Sequence, residues 1–393
     1  MSEKLQVAVV GMGNRGRYLG RAFRDDPRTD LVAVCDTSAE SLKVARRMFS
    51  DGVSYYTDQD EMCAREDLQI GIVASWDPAH RENAVVFLDH NIHVYLEKPM
   101  AQTIEDCDQI LRRWQKSEST LMVGLELRYC TLCQEVRRLL DSGVIGEVKL
   151  GMAVDNVSVG GQYYYHNNRR KKAFIKSLML EKGTHTLDLM NWFIGSNPIR
   201  VFAEGGLDVF GGDERNDKRC RDCEEKSTCP YFIDSEHFVL DYGEQARIAD
   251  GCVWAEEVDV DDNSVVTVRY ENGAKMTYVE CHFTPDYNRH FTLIGDKGRL
   301  YAFYNNEQEF VIRVQKRHST KIDEYHPPRS EGGHGGGDPR IIDEFIGRAL
   351  RNEHGCVGAL DARNSAAIAI AAAESCETHL PVAIPRFEFD AER

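Results

Sequence analysis

Leu5-Gln6-Val7-Ala8-Val9-Val10-Gly11-Met12-Gly13-Asn14-Arg15-Gly16 is the stretch from which the rest of the chain can be placed. A mostly apolar run of strand length leads straight into three closely spaced glycines, and a helical pattern follows at Tyr18, Leu19, Ala22 and Phe23. Strand, glycine turn and helix in that order are the signature of a dinucleotide site. Gly11 makes the turn, Gly13 lets backbone approach a pyrophosphate and Gly16 lets the helix pack closely. The amides of the helix start, around Met12, Asn14 and Arg15, then face the phosphates. A second strand over 31–35 ends at Asp36, twenty residues after Gly16. A carboxylate at that spacing meets the adenosine ribose 2′-hydroxyl and repels a 2′-phosphate, so NAD is expected over NADP. Arg15 is the residue near that edge that could instead help to hold a phosphate.

The alternation continues outward. Ser38 can cap a helix carrying Leu42, Val44, Ala45 and Phe49, and 70–74 reads as a strand. Ser75-Trp76-Asp77-Pro78 is a turn whose proline suits the first position of a helix running to residue 88. Ser75 and Trp76 stand at the same sheet edge as Asp36, where the indole either stacks on the cofactor or packs the turn. His80 is expected on the helix surface or behind the cofactor contacts rather than in the chemistry. The run 92–96 again has strand length and stops at Glu97-Lys98-Pro99. A residue before proline is held extended. Lys98 therefore reaches beyond the carboxyl end of the sheet, the edge at which open α/β sheets bind ligands, with the Glu97 carboxylate beside it. A helix over 103–116 and a strand over 121–125 complete a parallel sheet with right-handed crossovers. Residues 1–126 are read as a cofactor-binding α/β domain and 127–393 as a second domain.

In the second domain a helix over 129–140 ends at Ser142-Gly143, and strands are expected over 148–154, 200–205, 253–259, 264–270, 274–281, 290–294, 299–303 and 310–314. Asn272-Gly273 is a hairpin signal between two of them. The result is an α+β domain with a large, mostly antiparallel open sheet, one face covering the first domain and the other pairing subunits. Glu181, His185 and Asp188 are four and three residues apart, so a helix places them along one face. A histidine with a carboxylate one turn to either side has its pKa tuned towards neutrality, as a general base requires. Gly183 lets another surface approach. The segment 160–170, with Tyr163, His166 and Arg169, is rich in rings and donors and is read as a sugar-binding loop or an oligomer contact. His334, among the glycines of 332–337, is a candidate sugar contact. Cys220, Cys223, Cys229 and Cys252 offer four thiolates, the first pair at metal-ligand spacing, which implies a structural zinc unless they are free thiols or a disulfide. The last helix, over 362–378, is expected to pack back on the first domain.

With 48 basic against 64 acidic side chains the net charge is −16, which argues against nucleic acid as a partner. No window approaches the apolar length of a membrane span, and no secretory leader precedes the first strand. A cytoplasmic protein with reduced thiols is expected.

Glycines 11, 13 and 16, the acid ending the second strand and Glu97-Lys98-Pro99 together resemble the glucose-fructose oxidoreductase and inositol dehydrogenase (Gfo/Idh/MocA) family. The likeness continues through Gly124-Leu125-Glu126-Leu127-Arg128-Tyr129 and Gly143-Val144-Ile145-Gly146-Glu147-Val148 and covers nearly the whole chain. The resemblance implies a Rossmann domain followed by a substrate domain that also oligomerises, as a homodimer or homotetramer. It implies an NAD-dependent oxidoreductase acting on a sugar, glycoside or cyclitol, with Glu97, Lys98 and Arg128 beside the cofactor. His185 matches the family's catalytic histidine and Asp188 the acid one turn later, while Glu181 stands where many relatives carry aspartate. His185 would take the hydroxyl proton as hydride leaves, and Lys98 would stabilise the alkoxide. Two other readings stay open. One is a redox-neutral enzyme that keeps its NAD and cleaves a glycoside by oxidation, elimination and re-reduction. The other is a cofactor-binding sensor without turnover.

Overall fold

The computed structural model describes residues 4–158, 163–234, 249–305 and 309–390. The chain divides into two compact units. Met1–Glu126, Asp338–Ala366 and Phe387–Arg393 make the first, and Leu127–Gly337 with Ala367–Arg386 the second. Residues 160–162 of the expected sugar loop lie outside the described residues.

In the first unit, strands β1 (Leu5–Val10), β2 (Thr29–Cys35), β3 (Ser54–Tyr56), β4 (Ile70–Val73), β5 (His93–Leu96) and β6 (Thr120–Val123) join a seventh strand, Gly355–Val357. Their order is Gly355–Val357, β6, β5, β4, β1, β2, β3, and every pair is parallel. Helices on both faces explain why β4, β5 and β6 are buried along their whole length and read as unbroken apolar runs. The strand order reverses between β1 and β4, which opens a crevice at their carboxyl ends. The returning segment is part of the core. Phe345 packs edge-on against Phe23 and Tyr95, at 6.1 and 5.5 Å between ring centres. Arg363, fully buried, pairs with Asp108 at 2.8 Å. Gly355–Val357 and β3 went unseen in the sequence because three residues are too few to carry a period.

The second unit is built on a nine-stranded sheet. Its strands are β7 (Val148–Asn156), β8 (Pro198–Gly206), β9 (Asn263–Tyr270), β10 (Lys275–Cys281), β11 (Asn288–Gly295), β12 (Gly298–Asn305), β13 (Phe310–Lys316), β14 (Ile322–Tyr325) and the short Val382–Ala383. They lie in the order β14, β13, β12, β11, β7, β10, β9, β8, Val382–Ala383, antiparallel except for β10 on β7. Asn272-Gly273 turns the β9–β10 hairpin, with the Gly273 amide donating to the Tyr270 carbonyl at 3.0 Å. The helix Thr184–Ile194 lies against the inner face of β7.

Residues 253–259, expected as a strand, form consecutive turns instead. Ala255 and Val258 donate to the carbonyls three residues before them, which buries Val253, Ala255, Val258 and Val260 against Phe210 and Tyr165. Apolar spacing alone did not separate turns that bury alternate residues from a strand. Among the described residues no helix is long and apolar enough to cross a membrane.

Candidate functional site

The crevice of the first unit is shaped by its glycines. Gly11 has φ +91°, and a β-carbon there would collide with the Ser75 backbone. One at Gly16 would strike the Gly11 carbonyl oxygen. Gly13 has nothing within 4 Å of its missing β-carbon, so the backbone at the second glycine is open to a ligand. Asp36 closes the turn from the next strand, accepting from the Met12 amide and the Ser38 amide, both at 2.7 Å. Open backbone at Gly13, the start of the helix Asn14–Asp25 and a carboxylate at the end of β2 fit a dinucleotide.

Arg15 has a role that the sequence did not disclose. Its guanidinium meets Glu97 at 2.6 Å and Asp338 at 2.7 Å, and also pairs with Glu126. All three carboxylates are buried. Burial with the nearby Asp338 charge pushes the Tyr18 hydroxyl up to about 12, and the same guanidinium lies 5.0 Å from that ring. A β-carbon at Gly124 would press within 3.0 to 3.3 Å of Glu126 and Glu97, so this glycine gives the carboxylates room. No spacing rule joins residue 15 to residue 338. The signal available was a glycine two residues from a buried acid.

Lys98 is half-buried just beyond the end of β5, and its bond to Pro99 is cis. Trp76 is 51% exposed, so its ring does not pack the turn into the core. His80, expected on the helix surface or behind the cofactor contacts, is buried. Its Nδ1 lies 2.7 Å from the Pro99 carbonyl and its Nε2 3.0 Å from the Ser75 carbonyl. It thereby ties the Ser75 turn to the peptide that follows Lys98.

In the second unit the segment Met179–Gly183 is a π-helical turn that leads into Thr184–Ile194. A π turn holds an extra residue, so Glu181 does not keep the α-helical spacing expected between it and His185. Glu181 is paired with Arg169 at 2.5 Å, and that guanidinium sits 5.6 Å from the Tyr163 ring. Asp188 accepts two hydrogen bonds from Arg128, each of 2.7 Å. A fork of this kind fixes the carboxylate in plane. His185 is buried, with the His334 ring 5.0 Å away.

The glycine loop around His334 is close-packed. His334, Gly335 and Gly336 are successive left-handed residues at φ 52°, 65° and 84°. A β-carbon at Gly336 would collide with Ser330, and one at Gly335 would lie 3.1 Å from Phe310. For His334, whose side chain carries a β-carbon, this backbone costs about 1 to 2 kcal/mol.

Beneath the π turn, the inner face of the sheet carries buried charge. Asp155 pairs with Arg289 at 2.8 Å and accepts from Thr186 at 2.9 Å. His282 meets Glu280 at 2.6 Å. A β-carbon at Gly183 would come within 3.1 Å of Glu280 and Tyr278, so β10 is the surface that this glycine admits.

His166 is not grouped with Tyr163 and Arg169. It is buried beside Cys220, Cys223, Cys229 and Cys252 on the wall of a separate cavity.

Comparison with known proteins agrees with this architecture. Residues 5–125 match the oxidoreductase family's NAD-binding Rossmann fold, and residues 137–384 match the same family's C-terminal alpha/beta domain. YteT of Bacillus subtilis (strain 168), whose name goes no further than a provisional oxidoreductase, is 29% identical over 360 residues, 81% of this chain and 82% of its own length. The 2,7-anhydro-N-acetylneuraminate hydratase of Mediterraneibacter gnavus is 28% identical over 318 residues, 80% of this chain and 77% of the relative. Inositol 2-dehydrogenase of Salmonella typhimurium (strain LT2) is 26% identical over 196 residues, 49% of this chain and 55% of the relative. A fingerprint turn at the switch point of a parallel sheet, Glu-Lys-Pro after its fifth strand and both family domains in sequence leave one assignment: the chain belongs to the Gfo/Idh/MocA oxidoreductase family.

Proposed function

We propose that this protein is an NAD-dependent oxidoreductase that removes hydride from a secondary hydroxyl of a sugar, glycoside or cyclitol. The observation that carries the reading is the fingerprint turn clamped by Asp36, together with a lysine after β5 whose neighbour Glu97 is fixed by Arg15. The reading requires Lys98 and His185 to meet on one carbinol. His185 takes the hydroxyl proton, and the Lys98 ammonium steadies negative charge on the oxygen as the C–H bond weakens. Asp188, held by Arg128, keeps a fixed negative charge one turn from His185 and favours the imidazolium that forms. NAD, when bound, supplies the hydride acceptor. Asp36 disfavours a 2′-phosphate by like charge, and the carboxylates around Arg15 occupy the guanidinium that could have answered it. Tyr163, Arg169 and His334 are the remaining candidates for contacts to the sugar.

A second reading draws on the hydratase among the relatives. The same groups would oxidise the substrate transiently, allow elimination or addition next to the new carbonyl, and return the hydride, with no net redox change. Product analysis across inositols, hexoses, aryl glycosides and anhydro-sugars, with NADH absorbance followed in parallel, tests both. NADH formed in proportion to product supports the dehydrogenase. Product with flat absorbance and no added NAD supports the redox-neutral reaction. Neither outcome with any class of substrate would sink the assignment.

Assembly as a homodimer or homotetramer is part of the proposal. The outer face of the second sheet exposes Leu150 and Met152 on β7, Phe202 on β8, Val265 on β9 and Ile294 on β11, a broad apolar surface of the sort that marks a subunit contact.

A further inference from the structure

Cys220, Cys223, Cys229 and Cys252, all from the chain between β8 and β9, line one cavity of about 230 Å³. None is in a disulfide. They reach the cavity on three separate pieces of backbone. Cys220–Asp222 is a tight turn in which the Cys223 amide donates to the Cys220 carbonyl at 3.2 Å, so both thiols of the Cys-x-x-Cys pair lie on its wall. Cys229 follows a second turn, its amide bonded to the Glu225 carbonyl at 2.9 Å. Cys252 arrives on a strand-like bridge between Arg219 and Gly251, with its amide 3.0 Å from the Lys218 carbonyl.

The frame around the thiols is built from polar groups. His166 is engaged at both nitrogens, Nδ1 at 2.7 Å from the Gly251 carbonyl and Nε2 at 2.8 Å from the Tyr231 carbonyl, so it joins the arm carrying Cys252 to the arm carrying Cys229. Arg221 grips buried Asp250 at 2.6 and 2.8 Å, locking the first turn to the third arm. The apolar content is slight. Beside the first turn the core is only Cys220 and Ile233 with Phe232 against them, while the arm after Cys252 runs on into the cluster of Val253, Ala255, Val258 and Phe210, so the first two arms have the least apolar burial to hold them.

We propose that these four cysteines form a structural metal centre, a tetrathiolate site for a thiophilic ion, with zinc as the first occupant. Four thiolates and a divalent ion carry a net charge of about −2, and the cavity wall answers it with Lys218, Arg219 and Lys226 against the single acid Glu225. Among the described residues these sulfurs do not already form a ligand group within 4.8 Å, so binding an ion requires the arms to close on it. One zinc ion at about 2.3 Å from each sulfur draws them to about 3.8 Å apart, while an iron–sulfur cluster holds them wider. Binding releases the thiol protons and adds directly to the stability of the insert. Full coordination leaves no open position, so the centre acts as a staple rather than in the hydride chemistry.

The test is metal analysis of the full-length protein, expressed without a polyhistidine tag and purified without chelator, once in air and once anaerobically. About one zinc per chain is expected. About four irons with matching labile sulfide, coloured only in the anaerobic sample, would keep the four-cysteine centre and put a cluster in it. Metal below about a tenth of an equivalent in both samples, with all four thiols reacting with a thiol reagent in the folded protein, would overturn the proposal. Cys223→Ser and Cys252→Ser should each lower bound metal by about tenfold or more, and Cys356→Ser, on the seventh strand of the first unit, should leave it unchanged. NAD binding to the same samples shows whether a variant has folded. Because wild-type metal content is decisive by itself, a variant that fails to fold does not shelter the idea. The result is also independent of which substrate the enzyme takes.

Discussion

The two sheets carry their charged groups in opposite places. In the first unit β4, β5 and β6 are buried on both faces, and the half-buried Asp36 and Lys98 come only after their strands have ended. In the second unit Asp155, Glu280 and Arg289 lie within the strands, on the inner face beneath the helix Thr184–Ile194. A charge at the end of a parallel strand can remain near solvent and meet a ligand. A charge on a covered face needs a protein partner, because desolvation without one costs several kcal/mol. The first arrangement is suited to recognition, and the second is a scaffold beneath the helix that carries His185 and Asp188.

That contrast can be broken by substitution. The largest effect is expected at the strand end itself. Lys98→Ala should lower kcat by about 10² to 10⁴ with NAD affinity nearly unchanged, and His185→Asn should fall in the same range. Steady-state kinetics beside cofactor titration checks both, and undiminished turnover in either variant removes that residue from the chemistry. Next comes Arg15→Met, which strands three buried carboxylates and should cost about 3 to 5 kcal/mol of stability, read from denaturant unfolding. Asp36→Ala should move the NAD-to-NADP preference by about tenfold towards NADP, measured as a ratio of kcat/KM values.

The covered face predicts a pH effect. Burial alone would raise the Asp155 carboxyl, but Arg289, Lys182 and the hydrogen bonds from Arg289 and Thr186 hold it below its ordinary value. Its stabilising contribution is therefore complete above about pH 4 and is lost as pH falls through the depressed value. Asp155→Asn should flatten the acid limb of a plot of Tm against pH, and an unaltered limb would mean that other groups set it. The smallest effect on the fold itself is expected on the uncovered face. Met152→Asp with Val265→Asp should leave the Tm of the folded chain within a few degrees while shifting the species seen by light scattering towards monomer.

The first unit was legible because each of its devices is local. A glycine turn after a strand, an acid twenty residues on and a proline after a lysine all declare themselves within short windows. The partners of Arg15 were not legible, since Asp338 is brought to it only by the returning segment. In the second unit, His185 and Asp188 could be singled out by helical spacing, but the π turn changed the position of Glu181, and neither Arg128 nor Arg169 could be foreseen as the arginine that holds an acid. Chain proximity groups His166 with the tyrosines next to it in the sequence. Its real neighbours, Gly251 and Tyr231, are sixty-five or more residues away.

The composition of the first unit also bears on how the protein is made. The fingerprint leaves the ribosome well before Phe345, Arg363 and the strand Gly355–Val357, yet all of them belong to the same core. Synthesis usually lets an N-terminal domain fold before the next is finished. Here the core of the cofactor domain cannot close, and the outer edge of β6 stays unpaired, until the returning segment has emerged.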